Sequence, residues 1–277
     1  MFQQPFKTIV VGVDFSPYSK IVVRQAQMLC RMWNAKLVLV HAIDNPVDYA
    51  ASPYGSVYWP NLSNSKTYVS RIKKVYGIKS ALTKIIAKSS TPVRLITETA
   101  KKFERPLLMA GYKGHNKIVE FVFGSTAQQL AMKSKIPVWI HRGNKVIRPK
   151  KILIPHDLSQ ASDRSIDVVR KLSLACPTTY EVFHVNQKPF PILDYNTFTK
   201  MNRQLEKATQ TKIQHLLKEY PRIHLKTASG NVTEKIVKRS NDFDLLVIAH
   251  HNPAGLLSKS ETATLMKKVR TPLIVTH

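Results

Sequence analysis

Residues 111–126, GYKGHNKIVEFVFGST, have the form G-x2-G-x9-G-S and directly follow a short apolar run. Glycines there let the backbone approach an anion with no Cβ in the way, and they supply the positive φ angles of tight turns. Gly124, Ser125 and Thr126 open a helical pattern, whose free N–H groups and positive dipole end favour a phosphate. The hydroxyls of Ser125 and Thr126 add donors. Lys113, between Gly111 and Gly114, can counter phosphate charge. The chemistry this pattern suits is the holding of a phosphate ester, although a glycine loop after a strand can also serve turn geometry alone. It is not a Walker A loop, because no G-K-[ST] is present. Tyr112 and His115 are bulky and would narrow such a site.

A loop of this kind needs a strand before it and a helix after it, and the chain supplies both twice. Lys7 to Ser16 (KTIVVGVDFS) matches Lys150 to Ser159 (KKILIPHDLS), with Asp14 on Asp157 and Ser16 on Ser159. Leu37 to His41 matches Tyr180 to His184, Arg105 to Tyr112 matches Phe243 to His250, and KIPVWIH matches RTPLIVTH. Matching blocks in the same order imply a duplication. The short link Gly143 to Pro149 is the expected boundary, giving domains over 1–145 and 146–277.

Within the first copy, Ile9 to Val13 is a β-branched run, as expected of a strand buried on both faces. Ser16-Pro17 is a helix start, and Val22, Ala26, Leu29 and Trp33 recur at helical spacing. Further strands are expected at Leu37 to His41, near Ala81 to Ala87 (paralleled by Ile223 to Ala228), at Leu107 to Ala110 and at Pro137 to His141. Helices are expected from Pro92 through Phe103 and from Ser125 to Lys133. Asp44 to Asn64, with three prolines and Tyr49, Tyr54, Tyr58 and Trp59, reads as a long surface loop, either self-packed or a lid or partner surface. The alternation predicts α/β architecture: two tandem, open, mostly parallel five-stranded sheets with helices on both faces. Ligands of such sheets bind beyond the C-terminal strand ends, at the topological switch point.

The loop spacing, together with VDFS after the first strand and LVH at the end of the second, resembles the ATP-binding pattern of the universal stress protein (Usp) family. The resemblance covers nearly the whole chain, twice, and the arrangement is similar to tandem, UspE-type members. It implies an adenine nucleotide alpha hydrolase-like, Rossmann-like fold and an ATP-binding regulatory module in stress response, with little or no turnover. It also implies that Asp14 contacts the adenine and that Ala42 lies against the base. Gly111, Gly114, Gly124, Ser125 and Thr126 would hold ribose and phosphates, with or without Mg²⁺. The final strands pair across a dimer interface in that family, so the two halves of this chain could form a pseudo-dimer, and a homodimer of chains could follow.

The second copy departs from the pattern. Its run Ala249 to Ser260 (AHHNPAGLLSKS) has Ala249 and Asn252 for the first two glycines, is shorter, and carries Lys259 before Ser260. It is expected not to bind ATP in the usual manner. His156, His184, His250 and His251 fall at strand ends beside Asp157, where a metal or a small anion is conceivable. However, His184 matches His41, a position commonly His in the family without any metal, so a degenerate domain is the favoured expectation and no metal ligand is assigned.

Length, 277 residues, and 43% hydrophobic content permit a substantial core. Lys and Arg total 43 against 17 acids, a net charge of +26. Such a field attracts polyanions, including nucleic acid, acidic membrane and nucleotides. No basic block or RNA-binding motif stands out, so dispersed lysines on solvated helix faces are the simpler reading. Cys30 and Cys176 show no framework, metal or redox spacing. With no leader pattern and no apolar run long enough for a membrane span, a cytoplasmic protein is expected. No nucleophile–base pair is visible, and Glu120 inside the loop has apolar neighbours. No catalytic residue is therefore assigned, although slow ATP hydrolysis or self-phosphorylation at Ser125 or Thr126 is left open. An adenylating enzyme of similar topology is disfavoured for want of a second catalytic motif. The competing class is an interaction protein that uses its basic surface for nucleic acid or acidic partners.

Overall fold

The computed structural model describes residues 4–43, 65–80, 83–112, 124–186, 195–219, 224–250 and 259–277. Two compact units divide at Val146 and Ile147. In the first, β1 (Thr8–Gly12), α1 (Pro17–Trp33), β2 (Lys36–Ile43), α2 (Ser65–Tyr76) and β3 (Lys84–Ser89) lead to α3 (Pro92–Ala100), β4 (Pro106–Gly111), α4 (Ser125–Lys133) and β5 (Val138–His141). The strand order is β3-β2-β1-β4-β5, and every pairing in it is parallel.

The second unit repeats this plan. It runs β6 (Lys151–Pro155), α5 (Gln160–Ala175), β7 (Thr179–Asn186), α6 (Tyr195–Glu219), β8 (His224–Ser229), α7 (Val232–Ser240), β9 (Leu245–Ala249), α8 (Lys259–Lys268) and β10 (Leu273–Thr276). Its order, β10-β9-β6-β7-β8, is the mirror listing of the first and is likewise parallel.

Burial explains the strand composition. Ile9, Val10, Val11, Leu107, Leu108 and Met109 are fully buried, because helices cover both faces of a parallel sheet and neither face can be polar. Helix α1 buries Val22, Ala26, Leu29 and Trp33 as their spacing predicts. It packs on β1, β2 and β4 beside α2, whereas α3 and α4 associate with one another on the other face. Ser16 caps α1 by accepting from the Ser19 N–H, and Pro17 occupies the first turn.

The expected third strand lies later, at Lys84–Ser89, and α3 ends at Ala100 rather than Phe103. Helices α2 and α6 were not anticipated. Tyr68, Ile72 and Tyr76 recur every four residues, and Ile72 and Tyr76 are buried; that stripe was the available signal. Residues 44–64, read as a loop, lie outside the described residues. Among the described residues, no helix is long and apolar enough to cross a membrane.

Ser16→Ala removes both the α1 cap and a hydrogen bond to Asp14. The expected result is a stability loss of about 1–2 kcal/mol, read as a lower thermal midpoint. Ser159→Ala, whose side chain caps nothing in α5, should leave the helix start less affected.

Candidate functional site

The chain leaves β1 and turns sharply into α1 through Asp14, Phe15 and Ser16. Asp14 Oδ1 accepts from the Ser16 N–H at 3.0 Å and from the Ser16 hydroxyl at 2.7 Å. The residue between them, Phe15, sits in the left-handed region at φ 62°, which costs a non-glycine residue about 1–2 kcal/mol. Its N–H donates to Tyr76 Oη at 2.9 Å, and the Tyr76 hydroxyl donates to Ser19 Oγ at 3.1 Å. Burial pushes the Tyr76 phenol up, keeping the proton that makes this second bond. The turn is therefore tied both to the cap of α1 and to α2.

A second tie comes from β2. His41 Nδ1 lies 2.8 Å from the Val13 carbonyl. A carbonyl only accepts, so this nitrogen carries the proton and Nε2 of a neutral ring is left as an acceptor. The His41 ring is 4.6 Å from Phe15 and stacks on Tyr68 at 5.1 Å. The Arg71 guanidinium lies 4.3 Å over the Phe15 ring.

Of the residues picked from sequence, Asp14 follows β1, Ala42 lies on β2 and Gly111 ends β4. They sit at the C-terminal ends of three adjacent strands, where the chain order switches between β1 and β4. Gly111 has a packing reason to be glycine: an added Cβ would stand 2.8 Å from the Tyr18 ring. That ring is anchored, since the Tyr18 hydroxyl donates to the His141 carbonyl at 2.9 Å. Gly124, Ser125 and Thr126 open α4, and the N-cap Gly124 has no side chain to engage the first-turn N–H groups, the arrangement an anion at a helix start uses. Gly124 adopts φ −60° and ψ 129°, which any residue can adopt. The loop between these ends is pinned at its base, with the Gly124 N–H donating to the Tyr112 carbonyl at 2.9 Å. Tyr112 is itself buried under the Arg142 guanidinium, 3.8 Å from its ring. Lys113, Gly114, His115 and Glu120 lie outside the described residues.

The second unit reproduces the turn with other parts. Leu158 has the same φ of 62°, but its N–H donates to His156 Nδ1 at 2.9 Å. His156 Nε2 then faces Asp163 at 3.0 Å. His184 Nδ1 donates to the His156 carbonyl at 2.8 Å, duplicating the His41 bond. Asp157 Oδ1 takes the Ser159 N–H and the hydroxyls of both Ser159 and Ser162. Burial opposes the Asp157 charge, yet these hydrogen bonds hold its carboxyl below the usual range.

Among the described residues, the strand-end histidines expected to converge beside Asp157 do not form a ligand set. His156 and His184 are engaged in the turn, whereas His250 meets His277 edge-on at 5.2 Å, and His251 lies outside the described residues. Among the described residues, no group of three His, Cys, Asp or Glu could hold a metal ion.

The fold and site together define an open parallel α/β protein with a tightly held Asp-Ser turn and a glycine-opened helix at its switch point. The family model "Universal stress protein family" matches residues 5–142, and the chain belongs to that family through this segment. A universal stress protein encoded in the QAH/OAS sulfhydrylase 3' region of Thermus aquaticus is 25% identical over 142 residues, covering 50% of this chain and 99% of that protein. Universal stress protein A of Escherichia coli K12 is 25% identical over 118 residues, 39% of this chain and 76% of that protein. The fold match extends further. A universal stress protein from Archaeoglobus fulgidus DSM 4304 superposes with a TM-score of 0.67 at 15% identity, over 99% of both chains. One from Pseudomonas aeruginosa UCBPP-PA14 does so with the same score at 13% identity, over 99% of this chain and 94% of that one.

Two outcomes are expected. Gly111→Ala should cost about 1–3 kcal/mol through the anchored Tyr18 ring, whereas Gly124→Ala should cost under about 1 kcal/mol; denaturant midpoints compare them. Burial lowers both His141 and His277 from 6.5 to about 4. The unfolded chain therefore binds more protons between these values, and stability should fall as pH drops from 6.5 towards 4. His141→Phe should flatten that slope in thermal scans.

Proposed function

We propose that residues 4–146 bind ATP at the switch point, and that the chain is a tandem, UspE-type member acting as a regulatory nucleotide-binding module in the cytoplasm. Family membership supports a stress-response nucleotide-binding module in general. The observation that carries the specific reading is the Asp14 carboxylate, which among the described residues accepts only from Ser16, standing at the same sheet end as the glycine-started N-terminus of α4.

On this reading Asp14 recognises the adenine and the small side chain of Ala42 leaves room for the base. Gly111, Gly114 and Gly124 allow close backbone approach, and Ser125, Thr126 and Lys113 engage ribose and phosphates, with or without Mg²⁺. Ser125 is exposed and Thr126 half-buried, as a ligand at the helix start requires. The second unit is proposed to be silent towards ATP. Among the described residues its Asp157 Oδ1 already accepts three hydrogen bonds, where Asp14 Oδ1 accepts two. Its loop also lacks the matching glycines.

Calorimetry with ATP on the full chain tests this. One site per chain is expected, abolished in the Gly124→Lys/Ser125→Ala double variant and weakened about tenfold, or about 1.4 kcal/mol, in Asp14→Asn. Absence of binding by the wild type would remove the assignment.

A further inference from the structure

We infer that the edge of the first unit's sheet, formed by β3 and α2, is a docking surface for the phosphate backbone of nucleic acid. The inference does not depend on the nucleotide site. Between Asp48 and Glu98 the sequence holds eight Lys and Arg and not one Asp or Glu. This is not a basic block, because apolar and hydroxyl residues separate the charges. The fold assembles them.

β3 ends the strand order, so its outer edge is unpaired among the described residues, and α2 packs on it. Helix α2 buries Ile72 and Tyr76 and turns Lys66, Lys73 and Lys74 outward. Lys66 and Lys73, seven residues apart, share a stripe about 10 Å long. Lys79, after the helix, is also exposed. On β3 itself Lys84 and Lys88 are exposed. Four residues apart on a strand, they point to the same face about 13 Å apart. Lys84 Nζ lies 5.6 Å from the ring of Phe103, just beyond α3, which puts this pair on the face opposite α2. Positive charge thus flanks the sheet edge on both sides. The acids that follow are engaged elsewhere, Glu98 with Arg94 and Glu104 with Lys7.

The partner follows from what accompanies the charge. The exposed large hydrophobic residues among those described are Val146, Leu174 and Met201, none of them on α2 or β3. A bilayer-binding helix needs an apolar face to insert, and a protein interface needs an apolar core. Among the described residues, α2 and β3 offer spaced lysines without either, which suits a polyphosphate whose counterions are released on contact. Lysines also guard sheet edges against strand pairing, and the test separates that role from binding.

The measurement is fluorescence anisotropy of a labelled single-stranded RNA, and of DNA of equal length, with the full chain. Between about 50 and 200 mM salt, log K should fall against log salt with a slope of about −3, each of roughly four neutralised phosphates contributing about −0.7. The variant Lys73→Glu/Lys74→Glu/Lys84→Glu should bind at least about tenfold more weakly with a shallower slope, at an unchanged thermal midpoint. Lys88 is spared because it pairs in register with Ala42. A matched variant on exposed positions of the second unit, Lys267→Glu/Lys268→Glu/Arg270→Glu, should change binding little. Equal loss in both variants would mean that net charge alone acts, and would overturn the surface. So would wild-type binding to anionic vesicles but to neither oligonucleotide, or to none of the three.

Discussion

The molecule depends on a single backbone constraint: the residue after the first-strand aspartate of each unit must take a left-handed conformation. This reverses the chain direction over two residues, so that α1 or α5 can start directly above the strand it follows. The cost of such a conformation in Phe15 or Leu158 is met locally. In both copies the preceding Asp carboxylate accepts from the following Ser, and the second-strand His donates to the carbonyl just before the turn. The strained N–H is satisfied differently, by Tyr76 Oη in one unit and by the His156 ring in the other. Since that backbone geometry persists while its partner changes, the geometry and not the particular partner is what the fold requires.

The two solutions have different consequences for chemistry. In the first unit the partner of the strained N–H comes from a distant helix, leaving position 13 to an apolar Val and the Asp14 carboxylate bonded, among the described residues, only to Ser16. In the second, the partner is the adjacent His156, which engages Asp163, while Asp157 gathers two hydroxyls and an N–H. Its polar groups are largely turned on one another. A site whose donors and acceptors already satisfy each other has less to offer a ligand. Loss of the glycines in the second loop points the same way.

Much of the fold was legible from residue order. The runs at Ile9, Leu37 and Leu107 are apolar at every position, a pattern that parallel strands covered on both faces impose. The Ser-Pro and Gly-Ser-Thr starts of α1 and α4 have local capping chemistry. Legibility failed where burial is one-sided. β3 alternates unevenly and carries two lysines because it lies at an edge, so its pattern fixed its position only loosely. Helix α2 was missed although Tyr68, Ile72 and Tyr76 carry its period, because its polar face is richer than its buried one. In the candidate site, Asp14 and the glycines could be chosen from sequence, but the packing need for Gly111 could not, since Tyr18 approaches it only after α1 has folded back.

The sequence by itself determined that there are two copies of one α/β plan, where their buried central strands lie, and that one copy keeps a glycine-rich loop and the other does not. These are local or periodic properties, set by the chemistry of neighbouring residues. Tertiary structure decided which groups meet: that Tyr76 holds Phe15, that His41 ties β2 to β1, that His184 bonds the His156 carbonyl while His250 meets His277, and that lysines scattered between residues 66 and 88 flank one sheet edge. Such contacts join residues far apart in the chain. Their distances depend on strand order and helix packing, which no local pattern encodes.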